Sequence, residues 1–170
     1  NIWRWDILAT NSEITAVYAS LYGVIANANF MLQYAPRVEQ TLVTDEEFEH
    51  FSQICGEAYF ARALAYSELI KLYCKDYDTD TASTNPGVVL VTKYNTDEPM
   101  VRATLEESYK RVIDDLDKAI ELMDLDEQNF AGAIYSTTYF NEYTAYALRA
   151  RVALYMKDYD AAIKYATKVI

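Results

Sequence analysis

Hydrophobic residues recur with the spacing of α-helices over most of the chain. In residues 12–34 they stand three or four positions apart, at Ile14, Val17, Leu21, Val24, Ala28 and Leu32. This spacing predicts an amphipathic helix that buries the face carrying these residues. Pro36 lacks a backbone donor and restricts the residue before it, so we expect it to end this helix.

A second helix is predicted over residues 44–73. It begins at Thr44, whose hydroxyl can accept a hydrogen bond from the third helical residue while Glu47 reaches back, the arrangement of a capping box. The apolar period continues to the end of this range. Gly56 is the only residue within it that weakens a helix.

The same capping pattern returns at Thr104 and Glu107 and predicts a third helix to about residue 123. Two further helices are expected, roughly over residues 138–156 and 159–170, joined by a tight turn. The last one reaches the end of the chain with no capping residue. We therefore expect this chain to be a fragment of a longer protein.

Between the second and third helices, residues 75–103 lose the helical period. Polar residues and a Pro-Gly pair surround one short apolar run at 88–91, which predicts a long loop with a brief extended segment. The loop separates two helices that would otherwise form a hairpin.

Six residues of the second helix recur 87 positions later. Residues 58–63 (AYFARA) and 145–150 (AYALRA) share four identities, and each copy lies in the first helix of a predicted pair. Helix pairs of this kind are typical of tetratricopeptide repeats. The sequence therefore predicts an all-α fold of tetratricopeptide-like helical hairpins. Its first unit spans 56–123 with the insertion 75–103, and its second unit spans 139–170.

Composition narrows the possible functions. The chain has 26 acidic and 15 basic residues, a net charge of −11, so a nucleic-acid partner is not expected. With only 4 Gly and 3 Pro it has few turn residues, which disfavours a β-sandwich.

The residues needed for catalysis are largely missing. His50 is the sole histidine and lies among acidic residues, where a solvated helical position is expected. The acidic pairs 106–107 and 114–115 fit helix termini or polar faces. We therefore predict no catalytic residues, no cofactor and no enzymatic activity.

Metal binding is also not expected. Asp76, Asp78 and Asp80 alternate like the first ligands of a calcium loop, but Thr81 and Gly87 replace the glycine and glutamate that such a loop requires. A solvated acidic loop is favoured, and calcium binding stays open. The two cysteines, Cys55 and Cys74, are too far apart for a metal or redox motif and are expected to be buried thiols.

Aromatic residues supply the candidate ligand contacts. The chain has 16 Tyr and 2 Trp, and such rings can cover the apolar face of a sugar. Trp3 and Trp5 lie close to Asp6 and Asn11, outside a clear helix. We name Trp3 and Trp5 as ligand-contact candidates, with packing against the first helices as the alternative. Tyr77 and Tyr94, between the second and third helices, could equally contact a ligand, a partner protein or nothing.

Several segments, taken in order, resemble the SusD/RagB-like outer-membrane lipoproteins of Bacteroidetes. The chain departs from the family pattern in two places. Val89 stands where that family usually has proline, and residues 136–138 (STT) replace the sequence that usually precedes the fourth helix in the family. The segments that carry the resemblance are 21–29 (LYGVIANAN), 56–66 (GEAYFARALAY), 87–92 (GVVLVT), 102–109 (RATLEESY) and 147–163 (ALRARVALYMKDYDAAI).

The resemblance implies that residues 1–170 form the amino-terminal helical domain of a surface-exposed protein that captures glycans or other nutrients. Such a protein presents its ligand to a SusC-like TonB-dependent transporter in the outer membrane. It reaches the membrane only through a lipid anchor that this chain lacks. The alternative is a tetratricopeptide adaptor that binds a peptide or protein and no carbohydrate.

Overall fold

The computed structural model of the protein describes residues 11–94, 97, 99–123 and 140–170. Within these ranges the chain forms five α-helices and one two-stranded sheet. The predicted all-α fold of helical hairpins with a long inserted loop is confirmed.

Helix α1 spans Ser12–Glu39 and is capped by the side chain of Asn11. The prediction that Pro36 ends this helix was wrong, because α1 continues through it. A proline inside a helix removes one hydrogen bond and can be accommodated by a bend. Here only the final turn follows Pro36, so few further helical hydrogen bonds are affected.

The buried face of α1 differs in part from the predicted one: Ala28 is buried and Leu21 packs against the core as expected. Ile25, Ala28 and Asn29 are buried, whereas Val17 and Val24 are 45% and 41% exposed. Apolar residues occur on most sides of this helix, so periodicity alone could not select the side that packs.

By length and composition α1 could cross a membrane, with mean hydropathy 1.2 over 18 residues. In this fold it packs along the next helix.

Helix α2 spans Asp45–Tyr73 and helix α3 spans Leu105–Met123. Both predicted capping boxes are present: Thr44 pairs with Glu47, and Thr104 with Glu107, through backbone and side-chain hydrogen bonds of 2.8–3.2 Å. Backbone hydrogen bonds lower the pKa of both glutamates. The predicted start of each helix is therefore confirmed together with its physical cause.

The first three helices run antiparallel to their neighbours. The Tyr73 hydroxyl, at the end of α2, donates to the carbonyl of Ile14 at the start of α1 (2.9 Å). The Ser52 hydroxyl, near the start of α2, donates to the carbonyl of Leu122 at the end of α3 (2.9 Å). Helices α2 and α3 thus form the first predicted hairpin, although the insertion separates them in sequence.

Helix α4 spans Glu142–Tyr155 and helix α5 spans Tyr159–Thr167. They form the second hairpin, with the Tyr146 and Tyr165 rings stacked at 6.2 Å. Arg149 lies over the Tyr165 ring (4.9 Å) and its guanidinium is 3.4 Å from Asp117 of α3. The second hairpin is thereby joined to the first.

Helix α4 runs parallel to α2, as the first helices of stacked repeats do. Gln53 of α2 donates to the carbonyl of Phe140, just before α4, at 2.8 Å. Further along, Arg151 of α4 bonds Glu68 of α2 at 2.9 Å. These partners lie 87 and 83 residues apart, close to the offset of the sequence repeat. The bounds of the repeat units, 56–123 and 139–170, stay a prediction.

The insertion contains a small antiparallel sheet. Strand β1 spans Pro86–Val89 and pairs with strand β2, Arg102–Thr104. The extended segment was predicted, although two residues late, whereas β2 was not predicted at all. With only three residues, β2 is too short to show an alternating pattern.

Two glycines lie where chain segments approach closely. A Cβ on Gly56 would meet the Met123 side chain, so this glycine lets α2 and α3 pack together. A Cβ on Gly87 would overlap the carbonyl of Thr104 and the hydroxyl of Ser108. A larger residue at either position would clash with its packed neighbours, which explains why glycine is found there.

Two tyrosine hydroxyls bind the end of β1 and the residues after it to the helices. The Tyr22 hydroxyl accepts from the Val89 N–H (3.1 Å) and donates to the Val89 carbonyl (3.0 Å). Tyr66 does the same for Val91, with both distances 2.8 Å. The Asn29 amide also donates to the Val91 carbonyl (2.7 Å). The helices thus satisfy backbone groups that lack a strand partner.

A buried ion pair joins the three long helices. Arg62 of α2 donates to both carboxylate oxygens of Asp115 of α3 (2.8 and 2.7 Å) and to the side-chain oxygen of Asn29 of α1 (2.7 Å). Burial alone would lower the pKa of Arg62, but the hydrogen bonds and charge of Asp115 outweigh it and raise that pKa. Both ions are therefore fully paired within the core.

We expect Asp115→Asn to lower the free energy of unfolding by about 3 kcal/mol, because it leaves the Arg62 charge buried without its partner. Asp114→Asn, the neighbouring position, is the matched control. Asp114 pairs with Lys110 at the surface, and loss of such a pair should have little measurable effect. Chemical denaturation measures both variants. Equal effects would contradict the structural role of the buried pair.

We expect Tyr66→Phe to lower the free energy of unfolding by about 1–3 kcal/mol at neutral pH, because one hydroxyl serves two backbone groups of Val91. Tyr159→Phe, at a position 61% exposed, is the control and should leave the stability nearly unchanged.

The effect of Tyr66→Phe should also depend on pH. Burial raises the pKa of Tyr66 from 10.0 to about 12, so the folded state holds this proton more tightly than the unfolded state. Stability from this hydroxyl is fully present below pH 10 and is lost as pH rises towards 12. The stability difference between wild type and Tyr66→Phe should narrow over that range. A constant difference would show that the hydroxyl is not held as described.

Candidate functional site

An open groove lies between α1 and the second half of the insertion, with a volume of about 460 Å³. We call it the aromatic groove. Its lining residues are Tyr18, Tyr22, Ile25, Ala26, Val89, Val91, Lys93, Tyr94 and Met100.

The floor of the aromatic groove is held by hydrogen bonds and core packing. Tyr22 is held by its two hydrogen bonds to Val89, and Ile25 is buried in the core. Burial, followed by a hydrogen bond with Tyr18, raises the pKa of the Tyr22 hydroxyl. Tyr22 therefore stays protonated and can keep donating to the strand.

Two partly exposed tyrosines form the walls. Tyr18 is 39% exposed, and its ring packs against Tyr22 (4.7 Å) and edge-on against Tyr73 (5.2 Å). The Tyr94 ring stands edge-on to Phe30 at 5.0 Å, and the Tyr94 N–H donates to the Gln33 side chain at 3.0 Å. Both rings are held in place by their neighbours while part of their surface faces solvent.

The groove can contact a ligand through both apolar and polar groups. Tyrosine rings supply flat apolar surface, and the hydroxyls of Tyr18 and Tyr94 and the Lys93 ammonium can hydrogen-bond a polar ligand. This combination fits a molecule with apolar faces and a polar rim, such as a sugar.

Sequence reasoning named Tyr94 as one possible contact but missed Tyr18 and Tyr22. A signal existed, because Tyr18 and Tyr22 are four residues apart and so lie on one side of a helix. The predicted ligand contacts Trp3 and Trp5 lie outside the residues that the structure describes, and they stay a prediction.

The loop that carries Asp76, Asp78 and Asp80 contains a turn. Asp78 accepts a hydrogen bond from the backbone N–H of Asp80 (2.9 Å), which is typical of a turn. No group of three or more His, Cys, Asp or Glu side chains suited to a metal ion occurs in the described part of the chain.

The remaining acidic, histidine and cysteine residues considered above for catalysis or metal binding lie within helices or at their ends. Glu107 caps α3, and Asp115 pairs with Arg62. His50 is exposed, near the start of α2. Cys55 is buried and Cys74 is half-buried, both as free thiols, and burial raises the pKa of each.

Solved structures share this fold. A proposed sugar-binding protein from Bacteroides vulgatus ATCC 8482 is 26% identical (TM-score 0.77), and the match covers 91% of this chain and 32% of that one. A SusD superfamily protein from Bacteroides fragilis is 25% identical (TM-score 0.76), with coverages of 95% and 35%. A laminarin-binding SusD-like protein, 21% identical (TM-score 0.65; 91% and 29%), shows likeness of fold alone.

The chain spans about a third of the length of these structures. No curated protein sequence matches it. The SusD-like family model described as "Starch-binding associating with outer membrane" matches residues 1–154, most of the chain. The chain therefore belongs to the SusD-like family, as its helical hairpins and the order of its motifs indicated.

Proposed function

We propose that this chain is the helical scaffold and part of the ligand-binding surface of a non-enzymatic glycan-binding protein. The observation that carries the proposal is the aromatic groove, which lies in a chain of a family described as starch-binding. Tyr18 and Tyr94 would stack on the apolar face of a sugar ring, and Tyr22, held by its hydrogen bonds to Val89, would form the base beneath it.

The groove favours a neutral sugar. Apart from Lys93, its lining side chains are uncharged and mostly apolar. The net charge of −11 would repel strongly acidic polymers from most of the surface. A neutral glucan such as starch or laminarin is the ligand class that these features support.

We further propose that the full-length protein is exposed at the cell surface, held by a lipid anchor, and delivers its ligand to a SusC-like TonB-dependent transporter. The family description, which associates the family with the outer membrane, supports this location. Co-purification of the full-length protein with a TonB-dependent transporter from outer membranes tests the partnership.

Combining Tyr18→Ala with Tyr94→Ala should weaken neutral-glucan binding at least tenfold, because each substitution removes a stacking surface. Isothermal titration of the full-length protein with maltooligosaccharides and laminarioligosaccharides measures the effect. Tyr159→Ala on α5, outside the groove, is the matched control and should bind like wild type.

Unchanged affinity in the folded double variant would remove the aromatic groove from the proposal. Trp3→Ala with Trp5→Ala in the same titration tests the predicted contacts at those positions. Binding of a peptide or protein, with none of any glucan, would favour the tetratricopeptide adaptor instead.

A further inference from the structure

A second pocket, of about 330 Å³, lies where the end of α2 meets the turn between α4 and α5. We call it the lysine pocket. The lining residues that matter here are Lys71, Lys75, Asp76, Tyr77, Tyr155 and Lys157.

The lysine pocket is positively charged, whereas the chain as a whole is acidic. Three of the 15 basic residues line it beside one aspartate, although the net charge of the chain is −11. Lys71 is engaged by Glu68 of its own helix. Lys75 and Lys157 have no carboxylate partner among the residues that the structure places. Two ammonium groups are thus available to an anion.

The backbone at Lys157 points to a role for its side chain. Its φ is 61°, the left-handed region that glycine adopts without strain. The Asp158 N–H donates to the Ala153 carbonyl at 2.9 Å, as in the helix ends where glycine is the usual residue. A lysine is strained in this conformation, and the Lys157 ammonium lines the pocket without a carboxylate partner among the described residues. Backbone strain of this kind is often found at binding sites, so it supports a ligand-binding role for Lys157.

Aromatic surface lies beside these charges. The Tyr77 ring stands edge-on to Tyr109 at 5.1 Å, and Tyr155 is 46% exposed. The pocket therefore offers ring surface for a sugar together with ammonium groups for an acidic substituent.

We propose that the lysine pocket binds the carboxylate or sulfate group of an acidic sugar, as a second subsite apart from the aromatic groove. This inference rests on the proposed function of the chain in glycan binding. The shared chemistry is an anionic oxygen group carried on a sugar ring, held by Lys75 and Lys157 over the rings of Tyr77 and Tyr155.

The test titrates the full-length protein with an oligogalacturonate, a sulfated oligosaccharide and a neutral maltooligosaccharide. Lys75→Gln with Lys157→Gly should weaken binding of at least one acidic probe about three- to tenfold. The neutral probe should bind as before. The acidic probe that responds identifies a carboxylate or a sulfate as the preferred group.

Lys157→Gly separates binding from folding. Glycine relieves the strained φ, so this variant should unfold at a temperature a few degrees higher while it loses affinity for the acidic probe. Lys157→Arg keeps the charge and should retain most of that affinity. A loss of binding in a stabilised protein cannot come from misfolding.

The proposal is overturned if neither acidic probe binds, or if the double lysine variant binds both as wild type does. It is also overturned if inorganic sulfate competes as well as the sulfated sugar, which would mark an adventitious ion only. The two proposals fail separately. Tyr18→Ala with Tyr94→Ala affects the neutral probe, and the lysine variants affect the acidic one.

Discussion

The buried guanidinium of Arg62 is the contact on which the rest of the structure depends. It joins Asp115 of α3 and Asn29 of α1 to α2, and Asn29 in turn bonds the carbonyl of Val91 in the insertion. Ions in a core must be fully hydrogen-bonded, so few arrangements of these elements are allowed. One side chain thus fixes the relative position of three helices and the loop.

A loop fixed in this way becomes a binding surface. The Tyr22 and Tyr66 hydroxyls occupy the edge of the extended segment where another strand would otherwise pair. Lys93, Tyr94 and Met100 then line the aromatic groove together with α1, whereas residues at the start of the insertion form part of the lysine pocket. Different parts of the insertion therefore contribute to the two candidate sites.

Much of the helical fold could be predicted, because capping boxes and apolar periods are local signals. Thr44 and Thr104 marked the starts of α2 and α3, and the repeat of residues 58–63 predicted the hairpins. Long-range contacts were not predictable: the hydroxyl bonds of Tyr22 and Tyr66 join residues 67 and 25 positions apart. The buried side of α1 was predicted only in part, for Ala28 and Leu21 but not for Val17 and Val24, because the partners of this helix select the side that packs.

The most direct measurement is a crystal structure of the full-length protein bound to a maltooligosaccharide. A sugar ring in the aromatic groove, stacked on Tyr18 and Tyr94 above Tyr22, is the expected result. A sugar bound wholly outside this chain, with the groove empty or filled by another part of the protein, would contradict a ligand-binding role for these helices and leave them as framework.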